Sequence, residues 1–237
     1  MNNKIVENLY EFWAFIGRVN DSIIANDEYS YVKISDSDWP NRIYDFKTGK
    51  IDLKKILSGI KSGILPNAVV IDKPNSAICN SDLKLFLEQE NMALDLKNYQ
   101  ITEINNVVIE LVKSSTEAEI FAETASKSFN YHVNKDLIFS LTIEPERVKL
   151  FIAQVDGEYL GCGIIYFDSY GNAGLHMIGI KPEGRGKGIG KAMTSKLLNE
   201  AKKSGASYCV LHASKMGKPI YGKLGFEGYG KIKTYRL

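Results

Sequence analysis

The sequence predicts an α/β (α+β) protein with a mixed, mostly antiparallel sheet flanked by helices. Short apolar segments of strand length alternate with amphipathic segments of helix length along the chain. An Asp-Gly pair, Asp156-Gly157, separates two apolar segments and is typical of an antiparallel hairpin. In the second half the predicted elements follow the order β α α β β β α β α β, which indicates a sheet with helices packed on it.

Composition is that of a globular protein with an ample core. The 237 residues permit one large domain or two small ones. Hydrophobic residues make up 44% and charged residues 24% of the chain, which are ordinary values for a folded domain. A net charge of +2 provides no general attraction for a polyanion, so nucleic acid is not an expected partner. Because the longest apolar runs are too short to span a bilayer, no membrane partner is expected either.

The three cysteines are widely spaced and form no CxxC pair: Cys79, Cys162 and Cys209. An odd number at such spacing argues against a disulfide framework and favours a reducing compartment. Cys162 and Cys209 lie in apolar runs, where small core residues are expected rather than nucleophiles. The first 15 residues contain acidic side chains and lack a long apolar stretch, unlike a signal peptide. We therefore expect a cytoplasmic protein.

Residues 1–100 are predicted to form a smaller N-terminal α/β domain. Its expected elements are a helix over residues 1–19, strands at Tyr29–Ile34, Arg42–Phe46 and Ala68–Ile71, a helix at Leu53–Ile60 that stops near Gly63, and a helix at Ser81–Ala93 with Ser81 or Asp82 as its N-cap. The stretch Asp95–Asn106 is polar and carries no strong period. The domain boundary is therefore placed near residue 100.

Residues 107–237 carry a clearer pattern. The segment Ser114-Ser115-Thr116-Glu117 fits a capping box, which opens a helix that extends to about Ser128. The other expected elements are strands at Val107–Val112, Leu150–Val155, Tyr159–Phe167, Ala173–Ile180, Tyr208–His212 and Phe226–Leu237, and helices at Asp136–Leu141, Ile189–Lys203 and Lys218–Leu224.

The segment from Ile178 to Lys191 joins a strand to a long helix through a loop rich in glycine and basic residues. Glycines let backbone N–H groups approach a phosphate closely. The N-terminus of the following helix adds about half a positive charge at the same point. Lys181, Arg185, Lys187 and Lys191 can supply further positive charge around it. The loop is therefore predicted to bind an anionic phosphate ligand.

Two common phosphate-binding patterns do not fit this loop. The pattern GxxxxGK[ST] would require glycine where Arg185 stands and serine or threonine where Ala192 stands. The pattern GxGxxG would require its third glycine at Lys191 or Met193. A P-loop nucleotide hydrolase and a dinucleotide-binding fold are therefore not expected.

The pattern [QR]-x-x-G-x-[GA] does fit, as Arg185-x-x-Gly188-x-Gly190. It resembles the pyrophosphate-binding motif of the GCN5-related N-acetyltransferase (GNAT) superfamily. The string from Tyr221 to Phe226, YGKLGF, is similar to the Tyr-x-Lys-Leu-Gly-Phe string of a later block of the same superfamily. The two motifs stand in the family's order, and the resemblance covers residues 107–237 but not residues 1–100.

This resemblance implies the acyl-CoA N-acyltransferase fold and an enzyme that moves an acetyl group from acetyl-CoA, its co-substrate, to a primary amine by direct attack in a ternary complex. The backbone of Ile178, Gly179 and Ile180 would hold the pantetheine arm. The pyrophosphate would lie on the loop residues Arg185, Gly186, Lys187, Gly188, Ile189, Gly190 and Lys191. Ser214, at a position where many members carry asparagine, would contact the cofactor arm.

Tyr221 matches the family tyrosine that protonates the leaving thiolate, a role that suits a phenol because its ordinary pKa of about 10 is not far above that of a thiol. The attacking amine must first lose a proton. His176 is predicted as the base, because it lies on the strand before the loop and is separated from Ile178 and Ile180 by even numbers of residues. All three side chains are therefore expected on the same face of the strand. Other candidates remain open: His212, His132, or a water relay to Glu144 or Glu146. No pattern indicates a metal site.

Two other functions also remain open. One is a non-catalytic acyl-CoA-binding regulatory module on the same scaffold, and the other is a transferase of another acyl donor, such as a longer acyl-CoA or an aminoacyl-tRNA, although the low net charge disfavours tRNA.

The acceptor amine could belong to a small molecule, a protein N-terminus or a lysine. Residues 1–100 are expected to be either a degenerate acetyltransferase-like fold or a unit that shapes the acceptor site. The final strand Phe226–Leu237 could pair through exposed edges in a homodimer.

Overall fold

A computed structural model describes residues 1–47, 52–79 and 81–237. The helices are α1 (Asn2–Val19), α2 (Leu53–Lys61), α3 (Ser76–Cys79), α4 (Ser115–Phe129), α5 (Lys135–Ser140), α6 (Ile189–Lys203) and α7 (Lys218–Lys223). The strands are β1 (Ile23–Ala25), β2 (Ser30–Val32), β3 (Arg42–Tyr44), β4 (Val69–Ile71), β5 (Lys84–Asp95), β6 (Val108–Leu111), β7 (Val148–Val155), β8 (Glu158–Phe167), β9 (Asn172–Ile180), β10 (Tyr208–Ala213) and β11 (Glu227–Arg236).

These strands form one continuous sheet in the order β1-β2-β3-β4-β11-β5-β10-β9-β8-β7-β6. Neighbouring strands pair antiparallel except for β3 with β4 and β9 with β10, which are parallel. The predicted mixed, mostly antiparallel sheet with flanking helices is therefore confirmed. Among the described residues, no helix is both long and apolar enough to span a bilayer.

Two hydrophobic clusters lie on opposite faces of the central strands. The cluster on one face contains Phe12 of α1, Phe121 of α4 and Ile164 of β8. The cluster on the other face contains Leu175 of β9 and Met193 of α6, and α7 packs against it. We call these the α1 face and the α6 face. Cys162 and Cys209 are fully buried, as predicted for core residues.

Strand β5 connects the two halves of the chain. It lies between β10 and β11 and pairs antiparallel with both, although it precedes the predicted boundary near residue 100. The remaining early strands, β1 to β4, extend the same sheet beyond β11. The sheet therefore runs without a break through both predicted units, and the division at residue 100 stays a prediction.

The helix predicted at Ser81–Ala93 is wrong, because β5 occupies most of that segment. Residues such as Met92 and Ala93 favour helices intrinsically. Here, however, strands on both sides supply backbone hydrogen-bond partners, and this tertiary setting outweighs local preference. Ser81, the expected cap, instead donates its hydroxyl to the carbonyl of Ile78 in a turn (2.7 Å).

The prediction that the final strand has exposed edges is also wrong. Strand β11 is paired on one side with β4 and on the other with β5. Both partners come from the first half of the chain, so residues 107–237 alone did not reveal them. The strands at the two ends of the sheet are β1 and β6. A homodimer stays a prediction, without this edge to support it.

Local signals that depend on nearby residues are confirmed. Ser114 accepts a hydrogen bond from the amide of Glu117, whose carboxylate accepts one from the amide of Ser114, and α4 starts there. Asp156 and Gly157 both adopt positive φ, 54° and 81°, between β7 and β8. Such angles at both central residues of a two-residue turn match the twist of an antiparallel hairpin.

Candidate active site

Strands β9 and β10 pair over only part of their length. Their parallel ladder runs from Asn172 and Tyr208 to Leu175 and Leu211. Strand β9 continues to Ile180, and no strand of the described chain pairs with its β10 side beyond Leu175. We call this opening the β9–β10 fork. It leaves part of the β9 backbone edge available to another extended group.

A β-bulge in β9 accounts for the fork. Ile164 of β8 pairs with His176, whereas Cys162 pairs with Gly179, so three steps along β9 face two steps along β8. Met177 lies within this stretch and has a φ of 50°. Because a bulge bends its strand and increases the local twist, it turns β9 away from β10.

The same bulge reverses the side-chain alternation along β9. Ile178 and Ile180 pack on the α6 face, as does Leu175 before the bulge. His176 instead lies against α1, with its Nε2 atom 3.1 Å from Oδ1 of Asn8. Its ring stacks on Phe12 with centroids 4.4 Å apart. The expectation that His176 shares a face with Ile178 and Ile180 is therefore wrong.

Burial lowers the pKa of His176 well below its ordinary value, and nearby His212 lowers it further. His212 directly follows Leu211, the last residue of β10 that pairs with β9, and its Nδ1 lies 2.8 Å from Oδ1 of Asn91. Burial lowers the pKa of His212 to about 4, a shift that the Ile5 backbone partly opposes. Both imidazoles are therefore neutral at pH 7.

The other candidate bases lie elsewhere. His132 is exposed, with Nε2 3.8 Å from Oδ1 of Asp36. Glu144 and Glu146 precede β7, whose first residue Val148 pairs with Tyr166 near the end of β8. The fork lies beside the opposite end of these strands, where Gly161 pairs with Ile180. The structure thus does not bring these carboxylates to the fork.

The loop of residues 181–190, which we call the glycine loop, leads from β9 into α6, and the amides of Arg185 and Lys187 donate to carbonyls within it at 3.2 and 3.4 Å. Gly186 and Gly188 both have a φ of 79°, in the left-handed region that favours glycine. A Cβ atom at either position would meet nothing within 4 Å, so backbone conformation rather than space calls for glycine. Gly188 is the N-cap of α6. The first amides of that helix have no partner inside it and carry the positive end of its dipole.

The basic residues of this region differ in their partners. Lys181 is buried, with its Nζ 3.8 Å from a carboxylate oxygen of Glu123. Arg185 donates to the carbonyl of Ser128 at 3.4 Å. In the described parts of the chain, no ion pair involves Arg185, Lys187 or Lys191. These three charges are available to an anion, whereas Lys181 already has a counterion.

Tyr221 lies on α7, on the same face as the glycine loop. Its half-buried ring packs edge-on against Phe226, with centroids 5.9 Å apart, and against the cluster that includes Ile178 and Ile180. Burial raises the pKa of Tyr221 to about 12. Its hydroxyl has no hydrogen-bond partner in the described structure. The phenol is thus protonated and free to donate.

Ser214 precedes α7 and is exposed. Its Oγ accepts a hydrogen bond from the amide of Gly217 at 3.1 Å, which shapes the turn into the helix. The hydroxyl proton remains available to a second partner.

The α1 face of the fork is bordered by residues that no sequence motif indicated. Tyr131 donates its hydroxyl to the sulfur of Met177 (3.5 Å), at the bulge itself. Tyr131 also stacks on Phe129 with centroids 5.6 Å apart. The side chains of Ser128 and Phe129 lie so close to Gly179 that a Cβ there would meet them at 2.9 Å. These contacts join α4 and the following loop to β9.

The fold, with its strand fork beside a glycine-lined helix N-terminus, is that of an acyltransferase. A family model described as the acetyltransferase (GNAT) domain matches residues 112–234, and the chain belongs to this family. Among the described residues, no cluster of three or more His, Cys, Asp or Glu side chains could hold a metal ion. No curated protein matches the sequence.

Two solved structures share the fold over nearly the whole chain. A GCN5-related N-acetyltransferase from Kribbella flavida is 14% identical, with 97% of this chain and 94% of that chain covered and a TM-score of 0.69. One from Sphaerobacter thermophilus is 13% identical, with 94% and 84% covered and a TM-score of 0.63. At these identities the likeness concerns the fold alone. Its coverage means that the first 100 residues are part of the shared fold.

Proposed function

We propose that the protein transfers an acetyl group from acetyl-CoA to a primary amine by direct attack on the thioester in a ternary complex. The observation that carries this proposal is the β9–β10 fork beside the glycine loop. An extended pantetheine arm can pair with the free edge of β9 at Ile178, Gly179 and Ile180 in the way that an added strand would. Membership of the GNAT family supports the same donor.

The glycine loop would bind the pyrophosphate of the donor. The loop backbone between Arg185 and Gly190 and the unpaired first amides of α6 favour a phosphate there. Arg185, Lys187 and Lys191, which have no carboxylate partner in the described structure, would add positive charge. The hydroxyl of Ser214 keeps a proton with which to contact the cofactor arm.

At the thioester, a backbone N–H on the free edge of β9 would stabilise the oxyanion that forms when the amine attacks. Tyr221 would then protonate the departing thiolate. Its raised pKa of about 12 keeps the phenol protonated at pH 7, although it also makes proton transfer to a thiolate with an ordinary pKa of about 8.5 uphill. No covalent enzyme intermediate is required.

His176 remains our proposed proton acceptor for the attacking ammonium, because it is the first residue of β9 beyond the ladder with β10, at the start of the fork. Its lowered pKa means that it would hold the proton only transiently. The substitution His176→Gln should therefore lower kcat and flatten the acid limb of its pH profile. An unchanged profile would instead assign the proton to solvent.

The first experiment is calorimetric titration with acetyl-CoA of the wild type and of Gly188→Asp/Gly190→Asp. Two carboxylates in the glycine loop should repel the pyrophosphate and lower the affinity at least about 100-fold. Gly171→Asp is the matched control, because Gly171 has nearly the same φ, 78°, and equally open surroundings in the turn before β9. It should bind acetyl-CoA normally. A folded wild type that binds neither acetyl-CoA nor longer acyl-CoAs would overturn the proposal.

Thiol release in the presence of a panel of primary amines completes the test. Release that requires both acetyl-CoA and an amine supports the transferase. Binding without release on any amine would identify an acyl-CoA-binding module instead, and faster release from longer acyl-CoAs would correct the donor.

A further inference from the structure

Two arginines on the α1 face lack an acidic partner. Arg42 begins β3, donates from Nε to the carbonyl of Pro40 at 2.8 Å, and lies over the ring of Trp13 at 5.0 Å. Arg236 ends β11 and lies over the ring of Phe86 at 3.7 Å. Throughout the described residues, no carboxylate forms an ion pair with either guanidinium. Both side chains are half-buried.

The sheet brings these two arginines into one row. Ile43 and Tyr235 both pair with Val69 of β4, from opposite sides. Arg42 precedes Ile43 and Arg236 follows Tyr235, so the two arginines occupy the next row, on β3 and β11. Since neighbouring strands are about 4.8 Å apart, their backbones are roughly 10 Å apart. Two long side chains at that separation can converge on one small group.

The surroundings of the pair leave positive charge uncompensated. Burial lowers the pKa of Arg42 to about 10, Tyr131 opposes this shift, and Arg236 adds to it. The Nε atom of Arg236 is buried and has no hydrogen-bond partner in the described structure. A buried donor without a partner carries a free-energy cost, which an anion bound between the guanidinium groups would remove.

No carboxylate of the described chain is among the groups that shift the pKa of Arg42, and acidic side chains of neighbouring segments have other partners. Asp38 accepts a hydrogen bond from the amide of His132 at 2.7 Å. Asp72 accepts one from the hydroxyl of Tyr10 at 3.4 Å, and Asp45 accepts one from Ser30 at 3.4 Å. The chain therefore provides the two guanidinium groups with no internal counterion among the described residues.

Tyr131 connects this pair to the fork. The charges of Arg42 and Arg236 act on its hydroxyl and partly offset the rise in its pKa to about 12 that burial causes. The same hydroxyl donates to Met177 at the bulge of β9. The two arginines thus border the α1 face of the opening whose α6 face carries the glycine loop and Tyr221.

We propose that Arg42 and Arg236 bind an anionic group of the acceptor, so that the preferred acceptor is a primary amine that also carries a carboxylate. The inference rests on the proposed transferase function for the amine half of the substrate. With its carboxylate held by the arginines, the acceptor would enter from the α1 face and direct its amine toward the thioester in the fork. A fixed charge at one end would orient the amine at the other.

The test compares ω-amino acids of increasing chain length with the alkylamines that lack their carboxylate, using acetyl-CoA and thiol release. The wild type should favour one amino acid over its matched alkylamine in kcat/KM. Arg236→Gln and Arg42→Gln should each raise KM for that amino acid about 10- to 100-fold and leave alkylamine rates unchanged. Lys54→Gln removes the same charge from an exposed position of α2 and should change neither rate.

Calorimetry gives a readout that does not depend on turnover. The preferred amino acid should bind the wild type with CoA present, and binding should weaken in the arginine variants. Thermal unfolding identifies any variant that fails to fold, and the comparison of amino acid with alkylamine on the wild type requires no variant. Equal use of both amines, or no binding of any amino acid, would overturn the inference. Failure of the proposed function is separate, since the wild type would then either bind no acetyl-CoA or release no thiol with any amine, alkylamines included.

Discussion

The two faces of the sheet that meet at the β9–β10 fork are built from different kinds of sequence. On the α6 face, the glycine loop, α6 and α7 all come from the continuous stretch between Ile178 and Phe226. The α1 face instead combines α1, the start of β3, the loop after α4 and the end of β11. Motifs formed by residues close together in the sequence can predict the α6 face but not the α1 face. In our proposal, a local motif therefore binds the donor, and the fold assembles the acceptor side.

The largest effect is expected when the first half of the chain, which supplies α1 and other parts of the α1 face, is removed. A fragment of residues 107–237 keeps the glycine loop, α6 and α7 but loses β5, which pairs with both β10 and β11 and contributes Met92 to the α6 face. It also loses α1 and exposes the apolar cluster on that side. We expect this fragment to show no cooperative unfolding transition by circular dichroism, because unpaired strand edges and exposed apolar area are both costly.

The full-length chain, purified in the same way, is the control. A folded fragment that binds acetyl-CoA would show that the α6 face is independent of the first half, and the comparison would lose its basis.

The next largest effect is expected on the α6 face, at Tyr221. Tyr221→Phe removes only the hydroxyl, which has no partner in the described structure, so stability should change little. If the phenol protonates the thiolate, kcat should fall about 100-fold while acetyl-CoA affinity stays within a few-fold. Steady-state kinetics and calorimetry provide the two measurements. A fall in affinity with kcat intact would reassign Tyr221 to donor binding.

The smallest effect concerns stability on the α1 face. Burial lowers the pKa of His212 to about 4, whereas an unfolded histidine titrates near pH 6.5. Between these values the unfolded chain binds more protons than the folded chain, so stability falls as pH falls through this window. His212 alone should lower the free energy of unfolding by about 2 kcal/mol between pH 7 and pH 5.

Urea denaturation at both pH values measures this change. His212→Asn should reduce the loss, while His132→Asn, at an exposed position, should leave it unaltered. An identical pH dependence in all three proteins would show that His212 is solvated in the folded state, contrary to its packing against Asn91.

How far the sequence predicts the structure depends on the sequence separation of the interacting residues. The capping box at Ser114, the turn at Asp156-Gly157 and the glycine loop are each defined by residues within a few positions of one another, and all three were predicted. The helix expected at Ser81–Ala93 is wrong because the partners of that segment, β10 and β11, lie more than a hundred residues later. The prediction that His176 faces the same side of β9 as Ile178 and Ile180 is wrong, because one bulged residue, Met177, shifts every later side chain to the other face.

By itself, the sequence determined the fold class, the family and the glycine loop before α6. These features follow from local preference and from a motif whose glycines and helix N-terminus suit a phosphate wherever the loop lies. Only the tertiary structure decided that β5 completes the sheet, that α1 covers His176 and His212, and that Arg42 and Arg236 share a row beside β4. Strand order and register depend on backbone pairing between distant segments. The burial and charge of each side chain in turn depend on which segments the pairing brings together.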